Sequence, residues 1–399
     1  MQRENFPMLD NDLIYFDSSA TTFKPYAVLE KMNDYYTKYC ANAHRGDYKI
    51  SYQVDMEYED ARDLVVDFIN AKEREEIIFT SGATEGINLI INGFASNILE
   101  AGDEIILSRS EHASNVLPWF KISNKLNCTI KYVDLDDDFK VTMAAIKNTI
   151  TPKTKIIALA HITNVIGDLR PIKEISAYAH NLGIFVIVDG AQAVPHIKVD
   201  VQGLDVDFYT FSAHKMMGPT GVGVLYGRRE LLEHLEPVNL GGGMNDSFDS
   251  EAEIVLKALP TRLEAGTPNI SGVIGLGEAI RYINKVGIDK IHDHEMNLRA
   301  YLVDKLLEIP HIDIVNVNSD SGIVAFNVDG VFSQDVAFYL GKYNICVRAG
   351  NHCAKILKNE TGVTNTCRIS LYMYNDYKEI DRLIELLKVE PAKILEESI

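Results

Sequence analysis

Asp207-Phe-Tyr-Thr-Phe-Ser212-Ala-His-Lys215-Met-Met-Gly218 is the stretch on which the fold turns. Aromatic and polar residues alternate from Asp207 to Ser212, the period of a short strand. The run then breaks into Ser-x-His-Lys and a turn-forming Gly-Pro-Thr-Gly. A lysine at the end of a buried strand is poorly hydrated. Desolvation lowers its ammonium pKa and frees a nucleophilic amine near neutral pH, suited to a Schiff base with a carbonyl compound. The same pattern also describes a surface lysine at a strand exit, so the flanking sequence decides.

Outward from that run, short apolar strands alternate with longer amphipathic segments. Strands are predicted at 76–80, 104–108, 129–133, 154–160, 184–189 and 207–212, with helical patterns at 86–98 and 172–181 between some of them. This alternation predicts an α/β fold, a mainly parallel sheet with helices on both faces. Ligands of such sheets sit at the carboxyl ends of the strands. The pattern changes after Gly287. A helix at 288–308, strands at 312–317 and 323–328, a helix at 333–342, strands at 345–348 and 367–370, and a helix at 377–388 predict a smaller α/β domain. The expected division is a large domain over 16–286 and a small one over 287–399, with 1–15 packed on the small one. One continuous helix is expected to join them.

Composition narrows the function. Of 399 residues, 46% are hydrophobic and 24% charged, enough apolar mass for a large core. A net charge of −18 argues against a nucleic-acid surface, which needs clustered Lys and Arg. No run approaches the roughly 18 apolar residues of a membrane span, and Met1 to Asp12 lacks a signal-peptide pattern. The cysteines (Cys40, Cys128, Cys346, Cys353 and Cys367) are odd in number and scattered. That usage fits a reducing compartment, so a cytoplasmic enzyme is expected.

Several motifs fall just after the predicted strands. Thr80-Ser-Gly-Ala83-Thr84-Glu-Gly86 is a turn leading into a helix, whose free N–H groups and dipole form an anion site or serve as a simple cap. No Gly-Lys-Ser/Thr follows, which excludes a Walker A loop. Asp189, after the 184–189 strand, either caps the next helix or faces a cation. A protonated pyridine nitrogen would satisfy it, as in pyridoxal phosphate enzymes. His112 is placed to stack on a planar ring and move protons, or is a satisfied polar residue. Asn164 follows the 154–160 strand. Arg348-Ala-Gly-Asn-His-Cys353 sets a cysteine among cationic groups that favour its thiolate. Arg368 offers a planar fork for a carboxylate. Nothing has zinc-ligand spacing, and Asp134 to Asp138 lacks the glycine and glutamate of a calcium loop.

Taken in order, these motifs resemble the cysteine desulfurases of the SUF type (group II), within the fold-type I pyridoxal phosphate enzymes. The resemblance runs from Asp17-Ser-Ser-Ala20 to about Asn375. It is carried by His44-Arg45-Gly46, Thr84-Glu-Gly86, Glu111-His112, Asn164, Asp189-Gly-Ala-Gln192, Ser212-Ala-His-Lys215, Gly241-Gly-Gly243, Glu264-Ala-Gly-Thr267-Pro268, Arg348 to Cys353, and Arg368.

The resemblance implies a three-layer sandwich, a pyridoxal 5'-phosphate cofactor bonded to Lys215, and L-cysteine as substrate. Asp189 would pair with the ring nitrogen, His112 stack on the ring and Gln192 bond the phenolate oxygen. Ala83, Thr84, Ser212 and His214 would hold the phosphate, joined by Thr267 of a second subunit in a homodimer. Asn164 and Arg368 would hold the substrate carboxylate, with Arg348, His44 and Arg45 nearby. Cys353 would take the sulfur as a persulfide, for passage to a SufE-like or SufU-like acceptor and iron–sulfur assembly. The nearest alternatives are a selenocysteine lyase acting on L-selenocysteine and a non-catalytic assembly protein on the same fold. The family pattern before the cysteine is Arg-x-Gly-His-His-Cys; here Asn351 replaces the first histidine. Asparagine keeps hydrogen bonding and loses proton transfer.

Overall fold

Runs of Val, Ile and Phe buried on both sides are what a strand needs in the middle of a covered sheet. The computed structural model describes residues 3–398; Met1, Gln2 and Ile399 lie outside it. Strand β1 (Ile14–Tyr15) is followed by β2 (Ile77–Thr80), β3 (Glu104–Ser108), β4 (Thr129–Val133), β5 (Thr154–Ala160), β6 (Phe185–Asp189), β7 (Phe208–Ser212) and β8 (Gly223–Gly227). Strands β2 to β8 form one seven-stranded sheet in the order β2-β8-β7-β6-β5-β3-β4.

Alternate residues point to opposite faces. Ile106, Ile157, Val186, Val188, Tyr209 and Phe211 enter one core. Their neighbours Ile105, Leu107, Ile156, Ile187 and Phe208 enter a second, around Trp119 and Leu89. Only β8 runs against the rest, antiparallel to both β2 and β7. Strand β2 therefore runs in the direction of β7, and all the carboxyl ends that carry motifs open on one edge.

The sequence pattern missed β8, because Gly223 and Gly227 bracket it and read as loop. The close packing there explains the glycine. A Cβ on Gly223 would come within 2.4 Å of the Gly82 Cα. Strand β8 thus lies directly against the turn that starts helix α3 (Ala83–Ile90), where α1 (Tyr26–Lys38) and α2 (Lys49–Ile69) precede it in the chain.

The hairpin of β9 (Asn245–Phe248) and β10 (Ile254–Leu256) leads to a long helix, Ile270–Val286. The single joining helix expected here is broken. Gly287, at a φ of 95°, ends one helix, and Ile288–Leu307 starts anew. Strands β11 (Ile312–Ile314) and β12 (Ile323–Val328) follow. Strand β13 (Ile345–Cys346) and β14 (Arg348–Gly350) replace the single strand expected at 345–348. With β15 (Thr366–Ser370), a second sheet has the order β11-β12-β15-β14 and is antiparallel throughout. Its core holds Phe16, Leu298, Phe326, Ile369 and Leu383. At the amino end, β1 pairs with β13, whereas Phe6 packs on Tyr282 and Tyr374 in the larger core.

Candidate active site

Strand β7 delivers Lys215 through one helical turn, Ala213–Lys215, into a cleft between the two sheets. Burial pushes the Lys215 amine from 10.5 down to about 8; the Asp189 carboxylate opposes that shift, and Arg368 and Arg348 add to it. At pH 7 about a tenth of this amine is uncharged, far more than for a solvated lysine.

The cleft collects residues from the ends of β2, β3, β5, β6 and β7 in the large sheet and from β14 and β15 in the second. Ala83, Thr84, His112, Asn164, Asp189, Gln192, Ser212, His214, Lys215, Arg348 and Arg368 all line it. Asp189, at the end of β6, accepts the Ala191 N–H at 3.0 Å, and burial raises its pKa. Gly190 has no room for a side chain, since a Cβ would meet the Tyr209 ring at 2.0 Å. At the start of α3 the Ala83 N–H donates to Ser212 Oγ at 2.8 Å. Burial beside Lys215 and Lys24 pushes His214 down to about 4, so it stands neutral there.

His112 caps the turn after β3. Its Nδ1 accepts the Ser114 N–H at 3.1 Å, which assigns the ring proton to Nε2. Burial, with Lys215, Arg348 and Arg368 close by, lowers His112 to about 4. Beneath it, Glu111 is wholly buried and accepts from Asn115 Nδ2 and the Ala160 N–H, while Arg170 bridges Glu111, Ser110 and Asp168. This network fixes the chain that carries His112.

The cysteine loop closes the cleft from the second sheet. Ala113 N–H donates to the Cys353 carbonyl at 2.8 Å, and Asn164 Nδ2 donates to the His352 carbonyl at 2.7 Å. Cys353 Sγ lies 3.9 Å from Arg348 Nη2. Arg368 donates to the Asn164 carbonyl and Asp17, each at 2.9 Å. Ser114, whose Oγ is 2.8 Å from Thr84 Oγ1, and His352, Ser19, Ala20 and Ala191 also line the cleft. Sequence reasoning assigned none of these a role. For Ser114 the available signal was its place two residues after a capping histidine.

Three expected residues are elsewhere in this chain. His44 and Arg45 line a separate cavity beside α2. Arg45 Nη2 donates to the Gly266 carbonyl at 3.1 Å, next to Thr267, whose Oγ1 accepts from Asn42 at 3.4 Å. A single chain does not bring them to Lys215.

Asn164 Oδ1, Gln192 Oε1, His352 Nδ1 and Arg368 Nε are buried without a hydrogen-bond partner among the described residues. Buried polar atoms are rarely left so, and these four mark where a polar ligand belongs. The donor set suits a phosphorylated pyridine carbonyl: the start of α3 with the Thr84 and Ser212 hydroxyls for the phosphate, the Lys215 amine for the carbonyl and the buried Asp189 carboxylate for the ring nitrogen.

Residues 14–383 match the class-V aminotransferase family. The chain is 43% identical over 388 residues to a probable cysteine desulfurase of Halalkalibacterium halodurans, covering 96% of this chain and 95% of that one. A Staphylococcus aureus relative described in the same words is 44% identical over 392 residues, with the same coverage. The chain belongs to the cysteine desulfurase family. Solved desulfurases superpose closely. The apo enzyme of Thermococcus onnurineus gives a TM-score of 0.93 at 37% identity, covering 97% of this chain and 96% of that one. CsdA of Escherichia coli, in an S-sulfonic acid form, gives 0.92 at 36%, covering 99% and 97%. Like other class-V aminotransferase family members, this desulfurase uses pyridoxal phosphate, and it has the fold-type I architecture of its structural neighbours. No described helix is long and apolar enough to cross a membrane.

Proposed function

We propose that this chain converts L-cysteine to L-alanine and takes the sulfur as a persulfide on Cys353. One observation carries the reading: the loop bearing Cys353 is bonded to the residue after His112, and Sγ faces an arginine of the cleft.

When bound, pyridoxal phosphate withdraws electrons from the substrate carbon skeleton. Lys215 would anchor it, Asp189 would hold its ring nitrogen protonated, Gln192 would serve the phenolate oxygen, and Ala83, Thr84, Ser212 and His214 would hold its phosphate. Lys215 Nζ, with its amine at about 8, would take the substrate Cα proton and return it. Arg368 and Asn164 would orient the substrate carboxylate, and His112 would exchange a proton with its thiol through Nε2. As Cys353 Sγ bonds to the substrate sulfur, the carbon–sulfur bond breaks. Its electron pair stays with the carbon fragment, which takes a proton and leaves as alanine.

The finer expectations join the same proposal. His44, Arg45 and Thr267 cluster away from their own cleft, which supports a homodimer in which each chain completes its partner's site. The separate sheets and cores support division near residue 286. Only five positions separate Arg348 from Cys353, and fifteen separate Cys353 from Arg368. A loop that short limits the reach of Sγ, which favours a dedicated SufE-like or SufU-like acceptor in the cytoplasm and iron–sulfur assembly as the destination. Cys353→Ser tests the reading: it should keep bound cofactor and lose alanine release from cysteine, and full turnover would sink it. Comparing cysteine with selenocysteine in that variant separates the desulfurase from a lyase.

A further inference from the structure

The loop that holds Cys353 is locally strained. His352 and Cys353 both have positive φ, 50° and 61°, a backbone state that side chains other than glycine rarely adopt. Two such residues in succession persist only when their surroundings over-determine them. Three ties hold the carbonyl side or the flank: the Cys353 carbonyl to Ala113 N–H, the His352 carbonyl to Asn164, and the His352 ring to Thr366 Oγ1 at 2.8 Å. None of them engages the Cys353 N–H.

That group donates to Asn351 Oδ1 at 3.1 Å, while the Asn351 carbonyl accepts Ala354 N–H at 2.8 Å. Asparagine bonding the backbone two residues on is an Asx turn, in which the side chain stands in for one peptide unit of a backbone turn. Here it encloses His352. The same turn carries the half-buried Cys353 side chain, whose Sγ lies 3.9 Å from Arg348 Nη2.

We propose that Asn351 is a positioning residue for Cys353, its amide oxygen locking the turn that keeps Sγ at the cleft mouth. The substitution that distinguishes this chain from its family's pattern thereby acquires a function. A histidine could accept the same N–H only while its ring is neutral, as His112 Nδ1 does for Ser114. The asparagine oxygen accepts in every protonation state.

The proposal rests on Cys353 as the sulfur acceptor, and its test includes a readout that needs no turnover. Holoenzyme is compared with Asn351→Ala and Asn351→Ser, whose hydroxyl can form a weaker version of the same turn. Bound cofactor, kcat and KM for L-cysteine, and the rate at which Cys353 is alkylated by a bulky maleimide in resting enzyme are measured. Asn351→Ala should keep its cofactor, lose about tenfold in kcat with KM within about twofold, and be alkylated about tenfold faster. Asn351→Ser should recover part of both changes. An Ala variant with wild-type kcat and alkylation rate overturns the proposal, as does a loss that tracks cofactor release or that Ser does not reduce. If Cys353→Ser retains turnover, the acceptor reading fails, and the alkylation rates still report whether Asn351 holds the loop.

Discussion

Arg170 and Glu111 form an ion pair with no solvent access to either side chain, one residue before His112. The guanidinium also meets Asp168, so two buried carboxylates depend on one cation. Removing one partner of a buried pair costs far more than the pair contributes, because a charge is left uncompensated. Arg170→Met should destabilise the protein by about 3–5 kcal/mol in denaturant unfolding. A change below about 1 kcal/mol would show that water or a rearranged neighbour satisfies Glu111 and Asp168.

The depressed Lys215 amine predicts a pH dependence for cofactor capture. Its pKa falls from 10.5 to about 8, and Asp189 opposes the fall. Capture of pyridoxal phosphate by cofactor-free protein, followed by visible absorbance, should rise with pH and level off just above 8. Asp189→Asn removes the opposing charge, so its midpoint should move to lower pH. A rate still climbing toward pH 10 would mean that the lysine is solvated.

Buried histidines make the cofactor-free protein acid-sensitive. Burial lowers His161 to about 4 and His352 to about 3, each from 6.5. Between those folded values and 6.5 the unfolded chain binds more protons, so stability falls as pH falls. The full contribution is present above about 6.5. Each histidine should remove on the order of 1.4 kcal/mol per pH unit across its window. Unfolding free energies from pH 7 to 4 check the slope; His161→Gln should flatten it.

Chain mixing tests whether Thr267 acts across a dimer. A Lys215→Ala chain paired with a Thr267→Ala chain would contain one doubly damaged cleft and one intact cleft. Mixed and reassociated variants should therefore be more active than either alone. If Thr267 served its own chain, mixing would restore nothing.

The parallel strands were legible because continuous Ile and Val runs such as Ile156–Leu159 and Val186–Val188 are buried on both faces. Strand β8 was not, since Gly223 serves contact with Gly82, Gly227 lies against Leu232 and Phe208, and neither carries a hydrophobic signal. The cleft residues were legible where a polar group ends a strand, as Asp189 does, or follows it within one turn, as Lys215 does. The Arg170–Glu111–Asp168 network was hidden because its members lie up to 59 positions apart, with no local period linking them. Asn351 stood out in the sequence only as a departure from a pattern. Its bond to the Cys353 N–H required the turn itself.

The central claim is that Cys353 takes the sulfur. Incubating the holoenzyme with L-cysteine, quantifying alanine and mapping the modified cysteines by mass spectrometry tests it directly. A first turnover should give one alanine per active site and one added sulfur on Cys353. Alanine formed with Cys353 unmodified, or with the sulfur on another cysteine, would contradict it.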